Sequence, residues 1–181
     1  TGAGVPLDDA WIHFQFARNL ARGDGFAFNP GEPTAGSTAP LWTLLLAAAY
    51  VLGGAFPAAG QLLSAGSFLL ALAATYALAR ALTQRRWAGG LAAAVTAVNG
   101  RFVWAGLSAL ETPLFAALGL LAVISYLRWR QADRFPLLSA ALFALATLAR
   151  PEGLLLFILS LADHAFRQPG LKTPQSSLQR P

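Results

Sequence analysis

The sequence has no cysteine, no methionine and one lysine. Without thiols there is no disulfide framework and no thiolate metal site, and nothing marks the redox compartment. Methionine is missing even at position 1, so the chain is expected to lack its own beginning, where a signal peptide or a first membrane span would stand. Charge is scarce too. Asp, Glu, Lys and Arg make up 12% of the 181 residues, about half the share of a soluble domain. No glycine-rich phosphate loop, dinucleotide fingerprint or serine-hydrolase elbow occurs, and the glycines from Gly31 to Gly36 are not spaced to cradle a phosphate. A phosphorylated substrate would have to be held by arginines.

What fills the chain instead is apolar. Hydrophobic residues are 56% of it and the mean hydropathy is +0.53, with the apolar residues in long blocks rather than periodic stripes. That composition places it in the membrane class. Twelve arginines and abundant alanine suggest a GC-rich bacterial genome. A pI near 10.7 invites a nucleic-acid reading, but the basic residues form no single patch with interleaved aromatics. They gather at the ends of apolar segments: Arg80, Arg85 and Arg86; Arg128, Arg130 and Arg134; Arg167. This is the distribution of the positive-inside rule, and no nucleic-acid partner is expected.

Asp8 to Arg22 is expected to be an amphipathic helix carrying Ile12, Phe16 and Leu20 every fourth residue, with Trp11 and Phe14 beside them and Gln15, Arg18 and Asn19 polar. It is too short and polar to span about 30 Å of hydrocarbon, and suits the interface. Asp24 to Pro40 reads as a loop. Six apolar segments follow: Leu41–Phe56 (short), Gln61–Leu82 and Trp87–Leu107 (both long enough to span, the second interrupted by Asn99 and Arg101), then Thr112–Leu127, Phe135–Ala149 and Gly153–Ala162. The fold class expected is all-α: a polytopic membrane helix bundle with interfacial helices in a large first extracytoplasmic loop. It forms one partial transmembrane domain over residues 1–166, followed by a polar tail over 167–181. With the arginine groups in the cytoplasm, Glu111, Arg150 and Glu152 fall outside. Asp8 and Asp9 join them there if Leu41–Phe56 is re-entrant or interfacial rather than a crossing. Trp42 and Trp104 read as interfacial anchors.

Ionisable groups beside a membrane are costly and are functional candidates. Asp8 and Asp9 can serve as helix caps, as a general base with an acidic neighbour, or as oxygen ligands to a divalent cation such as Mg or Mn. His13, one turn on, would orient Asp9 or assist a metal. Glu111 precedes a proline-containing helix start, where a carboxylate also stabilises the N-terminus. Arg150 and Glu152 lie in a turn and can form a local ion pair, or Arg150 can grip phosphate with its planar fork. Arg101 can do the same or snorkel to headgroups.

Four ordered blocks, "DDAWIHFQFARNLARGDGFAFNPGE", "STAPLWTLLLA", "LSALETPLF" and "LARPEGLLL", resemble bacterial polytopic glycosyltransferases of the GT-C fold, related to the protein mannosyltransferases and the arabinofuranosyltransferases. The resemblance runs from Pro6 to Leu161. It implies a first span preceding this chain, and a general base at Asp8 or Asp9, with Asp8 favoured as the first acid. It further implies a polyprenyl-phosphate-linked sugar as donor, Arg150 as a phosphate contact and Glu111 near the same site. His13, Glu152 and Arg101 are counted with them as substrate contacts on the reading of the residues themselves. The acceptor would be a cell-envelope glycan, lipid or protein hydroxyl. The enzyme would sit in the inner (cytoplasmic) membrane with its site on the extracytoplasmic face. Two departures are visible: Ala109 stands where relatives often have glycine, and Ala35-Gly36-Ser37 where many have Glu-Gly-Tyr. The rival from another class is a transporter or flippase that uses the acids for ion coupling; a structural membrane subunit would leave the clustering of acids unexplained.

Overall fold

The computed structural model describes residues 8–34, 36–130 and 135–167. Ala35, Arg134 and the polar tail from Gln168, all named above, lie outside the described residues. What is described is almost entirely helical. α1 (Asp8–Arg22) leads into a two-stranded hairpin, β1 (Ala27–Asn29) and β2 (Glu32–Pro33). α2 (Pro40–Val51), α3 (Ala58–Thr83), α4 (Arg86–Ala97), α5 (Gly100–Leu107), α6 (Thr112–Trp129), α7 (Leu137–Ala149) and α8 (Gly153–Arg167) follow. Two of these, α3 and α6, are long and apolar enough to cross a membrane.

The segment Trp87–Leu107 is not the single span expected. It breaks at Asn99, whose side-chain oxygen accepts from the Phe102 backbone N–H and caps α5. An Asn-Gly pair favours this stop and restart, because Asn supplies the cap and Gly contributes little to helix propagation. Conversely, α6 is longer than the sequence suggests and reaches Trp129, and α8 continues to Arg167 because Arg167 pairs with Asp163 one turn back, Nε to Oδ1 at 2.8 Å. The hairpin is also new. Its backbone is stitched to α1 by Asn19, which donates from Nδ2 to the carbonyls of Ala27 (3.0 Å) and Phe28 (2.8 Å), and by Gln15, which donates to Phe28 at 3.0 Å. The sequence marks these residues only as the polar positions of α1; Asn19 is buried.

The contacts give the helices two common ends. α3 and α4–α5 run antiparallel, since Tyr76 abuts Gly89 and Phe68 abuts Gly106. α6 and α7 are antiparallel through Ser125 and Ser139, whose hydroxyls bond at 2.9 Å. α6 and α8 run parallel through Tyr126 and Asp163 (2.7 Å). α3 and α6 also run parallel, the residues around Leu78 and Leu82 meeting those around Ile124 and Leu127. One end therefore gathers Arg80, Arg128, Arg130 and Arg167. The other gathers Glu111, Arg150, Glu152 and the N-terminal part of α1.

At that second end, α1 packs on α2 through Ala10, Phe14 and Ala17 against Trp42, Leu46 and Ala47. Trp42 is fully buried there, so it is a core side chain and not the interfacial anchor expected from its type; Trp104 is 44% exposed. Gly60 lets α3 close on this core. A Cβ there would stand 2.6 Å from the Phe14 ring and 3.0 Å from the Ala109 Cβ.

Candidate functional site

Asp9, Ile12 and His13 are spaced i, i+3, i+4 and so share one face of α1. That face forms one wall of a cavity of about 540 Å³, with Leu110, Glu111 and Thr112 at the start of α6, Arg150 and Glu152 in the α7–α8 turn, and Gly36 and Thr38 from the loop before α2. Asp8 stands one position earlier on α1, about 100° round the helix, and is not among the lining residues. Arg101 is exposed and lines an adjoining cleft with Asn99, Phe102 and Trp104, which shares Leu110 and Thr112 with the cavity. The structure thus brings together Asp9, His13, Glu111, Arg150 and Glu152, and leaves Asp8 and Arg101 outside the cavity.

Glu111 sits just before α6, yet its side chain makes no cap. It turns into the cavity instead. Its Oε1 accepts from Arg150 Nη1 at 2.9 Å, and its Oε2 lies 3.6 Å from His13 Nε2, beyond hydrogen-bond reach but close enough for charge to matter. Arg150 spends its fork on two carboxylates: Nη1 on Glu111, with Thr112 Oγ1 at 3.3 Å, and Nη2 and Nε on Glu152 Oε1 at 2.8 and 3.3 Å. The hydrogen bonds Arg150 donates to Glu152, then the charges of Glu111 and Glu152, hold Arg150 above its ordinary pKa against some desolvation. Bonding to Arg150 in turn lowers the Glu152 carboxyl. The turn itself depends on Gly153, where a Cβ would stand 2.5 Å from the Thr147 backbone nitrogen.

His13 is buried. Its Nδ1 meets Ser37 Oγ at 3.2 Å, and Ser37 Oγ meets Thr43 Oγ1 at 2.8 Å. Facing a carboxylate on one side and a hydroxyl on the other, the neutral ring is best served with its proton on Nε2 and with Nδ1 accepting from Ser37. Burial lowers the His13 pKa below its ordinary 6.5; Glu111, and then Asp9, oppose the shift. Ser37, Thr43 and Thr112 were not marked as site residues in the sequence. The only signal was their place in the loop and helix-start blocks, where short hydroxyl side chains are ordinary.

Asp9 makes no hydrogen bond or ion pair with any described residue. It is an exposed carboxylate on the cavity wall. A shared cation on Asp8 and Asp9 does not suit this geometry, because successive helix positions do not face each other. Glu111, the other nearby carboxylate, is already neutralised by Arg150, and no group of three His, Asp or Glu residues able to hold a metal occurs among the described residues.

Comparison with known protein families, with curated proteins and with solved structures gave no match.

Proposed function

We propose that the protein is a membrane glycosyltransferase that moves a sugar from a polyprenyl-phosphate donor to an acceptor hydroxyl at the extracytoplasmic surface. The observation that carries this reading is one cavity in which an unpaired carboxylate, Asp9, shares the lining with an arginine held by a buried partner. Base and anion grip are the two functions that a displacement at a sugar phosphate requires.

In the proposed reaction, Asp9 accepts the proton of the acceptor hydroxyl as that oxygen bonds the anomeric carbon. The bond from the anomeric carbon to the phosphate oxygen breaks. Its electron pair leaves with polyprenyl phosphate, whose growing charge Arg150 offsets. A single displacement inverts the anomeric configuration. Glu111 holds Arg150 in place, and His13, neutral at pH 7, leaves the charge of Glu111 to that pairing.

A bilayer setting is supported by α3 and α6, and by the largely unburied apolar surface of α3, of whose most apolar stretch 17% is buried. The arginine-rich end suits the cytoplasmic side and the cavity end the opposite side. That arrangement gives α3 one crossing and keeps α1, the hairpin and the twelve-residue α2, about 18 Å long, at the outer surface. A lipid donor cannot leave the bilayer, and an acceptor arrives from water, so the cavity belongs where the two meet.

The test uses the full-length protein in lipid nanodiscs supplied with polyprenyl-phosphate-linked sugars, following release of polyprenyl phosphate. Asp9→Asn is expected to lower turnover by about 10²–10⁴-fold, the usual weight of a general base, while Asp8→Asn stays within a few-fold of wild type. Loss confined to Asp8→Asn would move the base one residue. No release with any donor, together with proton-coupled uptake into sealed vesicles, would favour a transporter.

A further inference from the structure

Arg150 is engaged by two carboxylates that differ in kind. The Glu111 side chain is 10% exposed, that of Glu152 56%. Glu111 takes one terminal nitrogen, while Glu152 covers the edge formed by Nε and Nη2, and it does so with a single oxygen, Oε1. That edge is a face on which guanidinium receives an oxyanion through two parallel N–H bonds. Glu152 lies two residues from Arg150, in a turn outside α7 and α8, so it can swing away without disturbing either helix.

We propose that Glu152 is an internal stand-in for phosphate: it occupies the Nε–Nη2 edge of Arg150, and a phosphate-bearing lipid binds by displacing it. The inference rests on the glycosyltransferase reading above. The donor phosphodiester offers two terminal oxygens to that edge, one for each N–H, and the released monoester offers three with a fuller negative charge. Glu152 offers one oxygen from a solvent-exposed position, where an ion pair is weak. The charges around the cavity favour exchange over addition. Asp9, Glu111 and Glu152 are three carboxylates against one guanidinium with His13 neutral, so a phosphate that entered with Glu152 still in place would meet net negative charge.

The exchange also acts on the product. The donor phosphodiester carries one negative charge, whereas the released monoester carries close to two near pH 7. Arg150 would therefore hold the product more tightly than the donor. Glu152, returning to the same edge, competes against that retention and helps expel polyprenyl phosphate. Glu111, buried and bound to the other nitrogen, keeps the guanidinium oriented throughout.

The experiment compares wild type with Glu152→Gln in the full-length protein in nanodiscs, measuring the Kd of a short-chain polyprenyl phosphate, with the polyprenyl alcohol and inorganic phosphate as companion probes. Gln keeps an oxygen near Arg150 but removes the competing charge. Polyprenyl phosphate is expected to bind Glu152→Gln up to about five-fold more tightly, the equilibrium weight of an exposed ion pair, with its product-inhibition constant falling at least as far. The alcohol should bind both proteins equally, and Arg150→Gln should abolish the phosphate-dependent gain in either background. Unchanged or weaker binding in Glu152→Gln, with wild type still preferring the phosphate over the alcohol, would make Glu152 a structural support of the turn and overturn the inference. Inorganic phosphate binding as tightly as the lipid phosphate would overturn the assignment to a lipid. If wild type showed no preference for the phosphate over the alcohol, the glycosyltransferase reading itself would fall, and this inference with it.

Discussion

His13 links the cavity to acid. Its folded pKa lies below the ordinary 6.5 because burial penalises the imidazolium more than Glu111 and Asp9 favour it. Above about pH 6.5 the ring is neutral in both folded and unfolded chains and contributes no slope. As pH falls below that value the unfolded chain takes up a proton that the folded one refuses, so stability declines until the folded pKa is reached. Glu152, whose pKa is also lowered, adds its own loss only below its ordinary 4.5. An apparent Tm measured between pH 7.5 and 5 should therefore fall with acid in wild type and fall less in His13→Gln. An equal slope in both would place the acid sensitivity elsewhere. Ala109 also has an unusual setting. It sits at φ +57°, a conformation that glycine adopts without cost and alanine does not. Here its methyl is retained in the core beside Gly60.

Among the elements, the junction of α1 with α3 is tightly constrained. Gly60→Ala would place its Cβ 2.6 and 2.8 Å from the Phe14 ring. The ring has nowhere to go, being 3% exposed and stacked on Phe56 at 4.5 Å. Overpacking of this kind costs about 1–3 kcal/mol, and because Phe14 adjoins His13 the strain should reach the cavity wall. The expected outcome is a lower apparent Tm together with lower turnover, partly restored in Gly60→Ala/Phe14→Leu, where the smaller side chain vacates the contact. Phe14 was legible in the sequence as part of an apolar face, and so were the start of α1, the apolar body of α3 and the start of α6, because each is marked by composition or by a cap. The hairpin and the burial of Asn19 were not, since a polar side chain gives no sign of whether its partner is water or a distant carbonyl. The break at Asn99 was visible only as an interruption. The candidate site divides in the same way. Asp9, Glu111, Arg150 and Glu152 stand out as rare charges in an apolar chain. Asp8 could be separated from Asp9 only by knowing which face of α1 looks into the cavity, and the Ser37–Thr43 support of His13 is a tertiary arrangement between a loop and two helices.

At the scale of the whole molecule, the absence of cysteine becomes useful. Within these 181 residues a cysteine introduced singly is the only thiol, so, in protein cleared of any cysteine outside them, labelling by a membrane-impermeant maleimide in intact cells reports the side of one chosen position. The proposed topology makes three such positions informative: Glu32 in the hairpin, Ala55 after α2 and Thr83 at the end of α3, all exposed. Glu32→Cys and Ala55→Cys are expected to label in intact cells, and Thr83→Cys only after permeabilisation. Ala55 decides most. α2 spans about 18 Å, too little for a hydrocarbon core of about 30 Å, so its two ends should lie on the same side. α3 at 26 residues would reach about 39 Å, enough to carry the chain across and to deliver Arg80, Arg85 and Arg86 to the cytoplasm. Labelling of Glu32→Cys without Ala55→Cys would mean that α2 crosses, which would put the arginines outside and reverse the charge rule on which the orientation rests. Labelling of all three would mean that α3 does not cross, and the cavity would lose its position above a donor held in the membrane. The expected pattern, two labelled and one protected, leaves Asp9 and Arg150 on the water-facing side of a helix whose other end lies in the cytoplasm. It is the geometry that a lipid-linked donor and a soluble acceptor both require.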